Sequence, residues 1–135
     1  MDAQAVNARV ITEFRAGGAV SGMQRERLLL LTTTGRRTGE PRTAPMMFTL
    51  DGDDPVVIGS NLGAARDPAW VLNLRADPNV MVELPDGRGG PGRAVLLEGE
   101  DHDRVWAAVS GEHPFLLEHQ AATVRRIPLV RLRLE

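Results

Sequence analysis

The stretch Thr32-Thr33-Thr34-Gly35-Arg36-Arg37-Thr38-Gly39-Glu40-Pro41-Arg42 concentrates more chemistry than any other part of this chain. Hydroxyl side chains lead into a loop with two glycines, and that loop carries three guanidinium groups within seven residues. Glycines permit positive φ and let backbone N–H groups converge, while Arg36, Arg37 and Arg42 are planar forks suited to bidentate grip of phosphate or carboxylate. The stretch therefore reads as an anion cradle. Its alternative is a solvated hairpin whose arginines sit in water or pair with acids such as Glu40. The spacing is not that of a nucleotide P-loop, because G-x-x-x-x-G-K-[ST] and its lysine are both missing. A second candidate is Ile58-Gly59-Ser60-Asn61-Leu62-Gly63, a run of mostly small residues at a strand end. It could let a flat ring lie against backbone, just ahead of a helix N-terminus at Asp67 that favours negative charge. An ordinary tight turn would look the same. His113 and His119 flank a helix start and could donate a proton near neutral pH, as many surface histidines could. Trp70 and Trp106 fall within helices, where a large aromatic is first a core residue.

Composition narrows the field. The chain has 135 residues, 42% hydrophobic and 25% charged, enough for one domain and not for two catalytic ones. With no cysteine there is no disulfide, thiolate nucleophile or Cys-ligated metal, and the three histidines show no metal-ligand spacing. No G-x-S-x-G and no obvious pair of catalytic carboxylates is present, so hydrolase machinery is missing. All sixteen basic residues are arginine, yet the net charge is −2, so the overall field does not favour nucleic acid and any anion site must be local. The longest aliphatic run, Leu28 to Leu31, is far short of the ~20 residues of a membrane span. The N-terminus MDAQAVNARV does not resemble a secretory signal, and a cytoplasmic protein is expected.

The elements that must position these residues follow from periodicity. Val6, Val10 and Phe14 recur every four positions and predict an amphipathic helix from Asp2 to Arg15, ended by Gly17 and Gly18. Strands are expected at Arg27 to Thr34, Arg42 to Leu50, Val56 to Ser60, Asn79 to Leu84, Arg93 to Gly99 and Leu129 to Leu134. Pro45 marks its strand locally as an edge, a bulge or a point where a ligand replaces a ladder partner. Of the adjacent Met46 and Met47, at most one belongs to the core if the other faces a pocket. Asp67 as N-cap and Pro68 at the first helical position start a helix that runs to about Ala76. PDGRGGPG reads as a hairpin tip. Further helices start near Asp101 and span about Phe115 to Thr123. About six mainly antiparallel strands with helices inserted at three places indicate an α+β fold and a small antiparallel barrel. The expected organisation is a single domain over 1–135, with 1–26 an N-terminal helix and linker.

Taken together, LLLLTTTGRRTGEPRTAPMMF, VVIGSNLGAARDPAWVLNLRADPNVMVEL and RRIPLVRL resemble the deazaflavin-dependent nitroreductase family, small split β-barrel (FMN-binding split-barrel-like) oxidoreductases that use coenzyme F420. The resemblance covers about residues 27 to 135 and rests on the ordered series T-T-G-R-x-[ST]-G-x-P-R, P-A-W and N-L-x-A-x-P. It implies that Arg36, Arg37, Thr38 and Arg42 hold the coenzyme's phosphate and glutamyl tail. Thr43, Ala44, Pro45, Met46 and Met47 would run along the deazaflavin ring, with Ile58, Gly59, Ser60 and Asn61 beside it. Ala69, Trp70, Val71 and Asn73 would close the helix side. Asn61 stands where relatives often carry lysine, which removes one cation from the tail site. The chemistry implied is hydride transfer from the reduced coenzyme to a quinone, nitro compound or other electron-poor acceptor, with the protein holding the two at ~3–3.5 Å and excluding water. The proton would come from solvent, Ser60, His113 or His119. Tyrosines line the acceptor pocket of nitroimidazole-reducing relatives. This chain has none, and Met47, His113, Leu116 and His119 fall in that neighbourhood, which weighs against nitroimidazoles and not against quinones. The alternatives are a carrier that binds the cofactor without turnover and an FMN-dependent split-barrel oxidoreductase. Three arginines suit a long anionic tail better than the single phosphate of FMN. The N-terminal helix is either a lid over the pocket or a lipid-touching surface for peripheral membrane contact; its narrow apolar stripe and lack of a basic cluster favour the lid.

Overall fold

The leucine run at 28–31 centres the fold, because both faces of its strand are covered. A computed structural model describes residues 3–135. In it Leu29 and Leu31 of strand β1 (Leu28–Thr34) point into one apolar cluster with Val57, Val82 and Leu132, and Leu28 and Leu30 point into another with Val10, Phe14 and Val20. The second cluster is the underside of helix α1 (Ala3–Arg15), whose start expected at Asp2 lies outside the described residues. Alternation along the strand thus feeds two layers at once.

The remaining strands are β2 (Pro41–Asp51), β3 (Asp54–Ile58), β4 (Asn79–Glu83), β5 (Gly89–Leu96) and β6 (Leu129–Leu134). They close an antiparallel barrel in the order β1-β2-β3-β6-β5-β4, and with its helices this is the α+β split barrel anticipated above. Helix α2 (Ala69–Ala76) follows β3, while α3 (Gly99–Glu112) and α4 (Phe115–Ala121) lie between β5 and β6. Leu74 of α2 packs into the barrel interior, whereas Val105 and Val109 of α3 and Leu116 of α4 pack with Val56, Leu97 and Leu129.

The ladder of β2 changes partner halfway. Pro41–Met47 face β1, with Pro45 opposite Leu30, and Phe48–Asp51 face β3. The first half therefore has a ladder on one edge alone, and Pro45 sits in that half, which is the edge reading of its position.

The structure corrects the sequence reading in several places, among them the end of β3 at Ile58, which leaves Ser60 outside the strand. Strand β5 begins at Gly89, not Arg93, and ends at Leu96: Gly89, Gly90, Pro91 and Gly92 pair with Glu83, Val82, Met81 and Val80. Gly89 has φ +147°, and a Cβ there would lie 2.1 Å from the Val82 carbonyl oxygen, so a close backbone approach produces the glycines that looked like a hairpin tip. Pro68, not Asp67, is the N-cap of α2, with no side-chain cap. The Asp67 carboxylate is taken instead by Arg75 Nη1 and Arg125 Nη1, each at 2.8 Å. Finally, no described residue of α1 lines either cleft discussed below; the helix packs on the outside of β1, an arrangement that gives the lid reading no support.

At the far end of β2, Asp51 accepts from Arg104 Nη1 at 3.0 Å and Nη2 at 3.1 Å, and from Arg131 Nη2. Hydrogen bonds from Arg104 first and Arg131 second hold its carboxyl down at about 2. Since an unperturbed carboxyl of this type titrates at 3.8, the stabilisation is complete above that pH and is lost as pH falls through the window down to about 2. Asp51→Asn is expected to lower the melting temperature at neutral pH by about 4 °C, for a loss of about 1 kcal/mol from a partly exposed network. The variant should also show a shallower fall in stability between pH 4 and 2, measured by thermal melts across that range.

Candidate functional site

Two clefts flank the bare edge of β2. The first, about 380 Å³, lies between the 35–42 loop, β2 and the start of α2. The loop closes on itself through Gly35 N–H to Glu40 O at 2.8 Å and Gly39 N–H to Gly35 O at 2.8 Å. A Cβ at position 35 would stand 2.9 Å from the Thr38 hydroxyl and 3.1 Å from the Glu40 carbonyl, which is why glycine is needed there. Arg36, Arg37 and Thr38 line this cleft from the loop, Arg42, Thr43 and Ala44 from β2, and Ala69, Trp70 and Asn73 from α2. Thr33 and Gly35 complete the wall, and among the described residues no carboxylate lines it.

Asn73 welds the loop to the helix. It is 4% exposed, a costly place for an amide without partners. Its Oδ1 accepts the Arg36 backbone N–H at 3.2 Å and Arg36 Nη1 at 2.9 Å, and its Nδ2 donates to Thr33 Oγ1 at 3.2 Å. Arg37 and Arg42 are different. Among the described residues neither guanidinium has a hydrogen-bond or ion-pair partner, and the Glu40 carboxylate pairs with none of Arg36, Arg37 and Arg42. Of the two forms of the solvated-hairpin alternative, pairing with Glu40 is not seen, while arginines standing in water remains compatible with the exposed Arg37 and Arg42 at the cleft.

The second cleft, about 200 Å³, opens on the other side of Pro45. Met46, Met47 and Phe48 form its β2 wall, Ile58 and Ser60 its floor, and His113, Phe115 and Leu116 its helical side. Met46 also packs against the barrel core, whereas Met47 is exposed. Apart from Thr49, Ser60 and His113 the lining is apolar. His113 Nε2 lies 3.6 Å from Glu112 Oε2.

Several candidates stand behind these walls. Val71 is fully buried, and Gly59 donates its N–H to Pro128 O at 2.9 Å, in a space where a Cβ would meet Pro128 at 2.7 Å and Val71 at 2.9 Å. These two set the depth of the shelf and line neither cleft. Asn61 turns its Nδ2 to the Arg66 carbonyl at 3.1 Å. His119 packs edge-on against Phe115, 5.4 Å between centroids, with a buried Nδ1 that has no partner. Trp70 is half-buried, shared between core and first cleft, and Trp106 packs with the α3 cluster.

Sequence reasoning assigned nothing to Arg125. Its Nε donates to Ala64 O at 2.8 Å, Nη1 to Gly59 O at 3.1 Å and Asp67 Oδ1 at 2.8 Å, and Nη2 to Ser60 O at 2.7 Å. The only signal was its membership of the RRIPLVRL segment.

A family model described as F420H(2)-dependent quinone reductase matches residues 6–133. An F420H(2)-dependent quinone reductase of Mycobacterium tuberculosis is 35% identical over 106 residues, 77% of this chain and 71% of its own. Among solved structures, the F420-H2-dependent reductase FDR-A aligns with a TM-score of 0.71 at 30% identity, covering 79% of this chain and 94% of that one. The heme storage protein of Vibrio cholerae, 16% identical with a TM-score of 0.61 over 93% of this chain and 87% of its own, shares the fold.

Proposed function

The chain belongs to the F420H(2)-dependent quinone reductase family and is an F420-dependent reductase, and from that premise we propose how its two clefts divide the work. The first cleft holds the anionic tail of the coenzyme, β2 from Thr43 to Met47 carries the flat ring, and the second cleft receives a quinone. The observation that carries this reading is the pair Arg37 and Arg42, which among the described residues have no acid partner and share their cleft with no carboxylate, beside a bare strand edge that leads into an apolar cleft. Residues and group fit: a polyanion needs cations not already neutralised, and a ring needs a smooth wall.

Coenzyme F420 bound in this way supplies a hydride to the acceptor. The chain's own residues do the rest. Arg37, Arg42 and the Asn73-held Arg36 fix the charged end, with Thr38 beside them, while Ala69 and Trp70 close the helix side. Ile58, Phe48 and Leu116 exclude water from the acceptor, which strengthens every polar interaction left inside. Reduction of a quinone by hydride also requires a proton. Ser60 Oγ and the His113 ring are side chains in the second cleft that can hold one, and Ser60 is assigned to the ring edge.

Among the described residues no helix is long and apolar enough to cross a membrane. The test is direct. Fluorescence titration with oxidised coenzyme should show micromolar or tighter binding, and the protein should oxidise the reduced coenzyme with menadione. Absence of binding would overturn the assignment of the first cleft, and binding without turnover would overturn that of the second.

A further inference from the structure

Asn61 and Leu62 are consecutive non-glycine residues in the left-handed region, with φ +46° and +55°. That conformation is unfavourable for a branched-chain residue such as Leu62 and more readily adopted by Asn61, and it persists where the surroundings hold it. Here the surroundings are chiefly one side chain. The Arg125 guanidinium, 14% exposed, donates to carbonyls on both sides of the strained pair, Gly59 and Ser60 before it and Ala64 after it. Its remaining bond goes to Asp67, which Arg75 of α2 also holds. Within the loop, Gly63 N–H to Ser60 O at 2.8 Å and Ala64 N–H to Asn61 O at 2.9 Å close the turn. Gly63 lies so near α4 that a Cβ there would stand 2.7 Å from the His119 carbonyl.

We propose that Arg125 is a positioning residue for hydride transfer: by clamping the strained 59–64 shelf to the start of α2, it fixes Ser60 and the floor of the acceptor cleft relative to the coenzyme cleft. The inference rests on the division of the two clefts given above. Arg125 itself lines neither cleft, so it acts through the backbone it holds and not by touching either reactant. A fork with its donors in one plane suits several divergent carbonyls at once, and neither lysine nor glutamine reproduces that reach. Once the clamp is removed, the left-handed pair can relax, and the acceptor floor moves while the loop arginines stay in place.

The test uses the full chain as Arg125→Gln and, should that variant fold poorly, Asp67→Asn, which keeps the shape and weakens one end of the clamp. Amide hydrogen exchange without coenzyme is the first readout. Protection at Gly63 and Ala64 should fall selectively, with the amides of β1 unchanged. With coenzyme present, its dissociation constant should stay within about threefold of the parent, while kcat with menadione falls about tenfold or more, because a misplacement near 1 Å can cost about 10²-fold. Unchanged exchange at 63 and 64, or unchanged kcat, overturns the proposal. So does a loss of coenzyme affinity with kcat preserved, which would make Arg125 part of the coenzyme site. A parent protein that binds no coenzyme defeats the cleft assignment itself, and it is told apart from failure of the clamp by the exchange result.

Discussion

Replacing Arg37 and Arg42 together by alanine should weaken binding of oxidised coenzyme by about 3 kcal/mol or more, on the order of 10²-fold, taking about 1.5 kcal/mol for each charge-assisted contact. The lower end of the range applies because the cleft is open to water and salt. Stability should barely move, within about 0.5 kcal/mol, since neither guanidinium has a partner among the described residues. That separation is the point of the experiment: a fluorescence titration and a thermal melt on the same variant must give opposite answers. Raising ionic strength should weaken the parent toward the variant and leave the variant's affinity nearly flat. An unchanged dissociation constant would return the loop to a solvated hairpin.

Asn73→Ala is expected to do the reverse, with its larger effect on stability. It removes three hydrogen bonds at a buried position and leaves the Thr33 hydroxyl and the Arg36 N–H without their partner. Groups left unsatisfied in this way cost about 1–3 kcal/mol each, partly recovered by water at the cleft, so a net loss of about 2–3 kcal/mol and a fall of about 8–12 °C in melting temperature are expected. Coenzyme affinity should drop about tenfold as Arg36 is released, a charge-assisted contact weakened and not deleted. Asn73→Asp sharpens the comparison. It can still accept from Arg36 but brings a negative charge to an anion cradle, so its coenzyme affinity should fall further than its melting temperature would suggest. Parallel melts and titrations of the two variants check this.

Strand positions, the antiparallel barrel and the arginine loop were legible in the sequence because each has a local cause. The four leucines, the G-R-R-T-G turn and the alternation of Leu129 to Leu134 depend on neighbours along the chain. What was not legible depends on neighbours in space. Gly89 and Gly90 have the composition of a hairpin tip, and only the approach of Val82 shows that they are strand residues with φ of +147° and +131°. Asp67 before Pro68 has the form of a cap, but two arginines, one of them 58 residues away, take its carboxylate. Val71 shares a helix turn with cleft residues, yet the depth of Gly59 against it puts it in the core. Arg125 is one of sixteen arginines, and nothing local distinguishes an arginine that braces three carbonyls from one in solvent.

The half-paired stretch of β2 also bears on how this protein survives at high concentration. A row of unsatisfied backbone donors and acceptors is a template on which a strand from another molecule can add, and long, flat, unguarded edges of this kind seed aggregates. Pro45 interrupts that template, since it has no N–H to offer an incoming strand. A residue that keeps the wall open to a small flat guest thereby also deters self-association, and a substitution chosen to improve ligand contact at this position would remove a gatekeeper against fibrils.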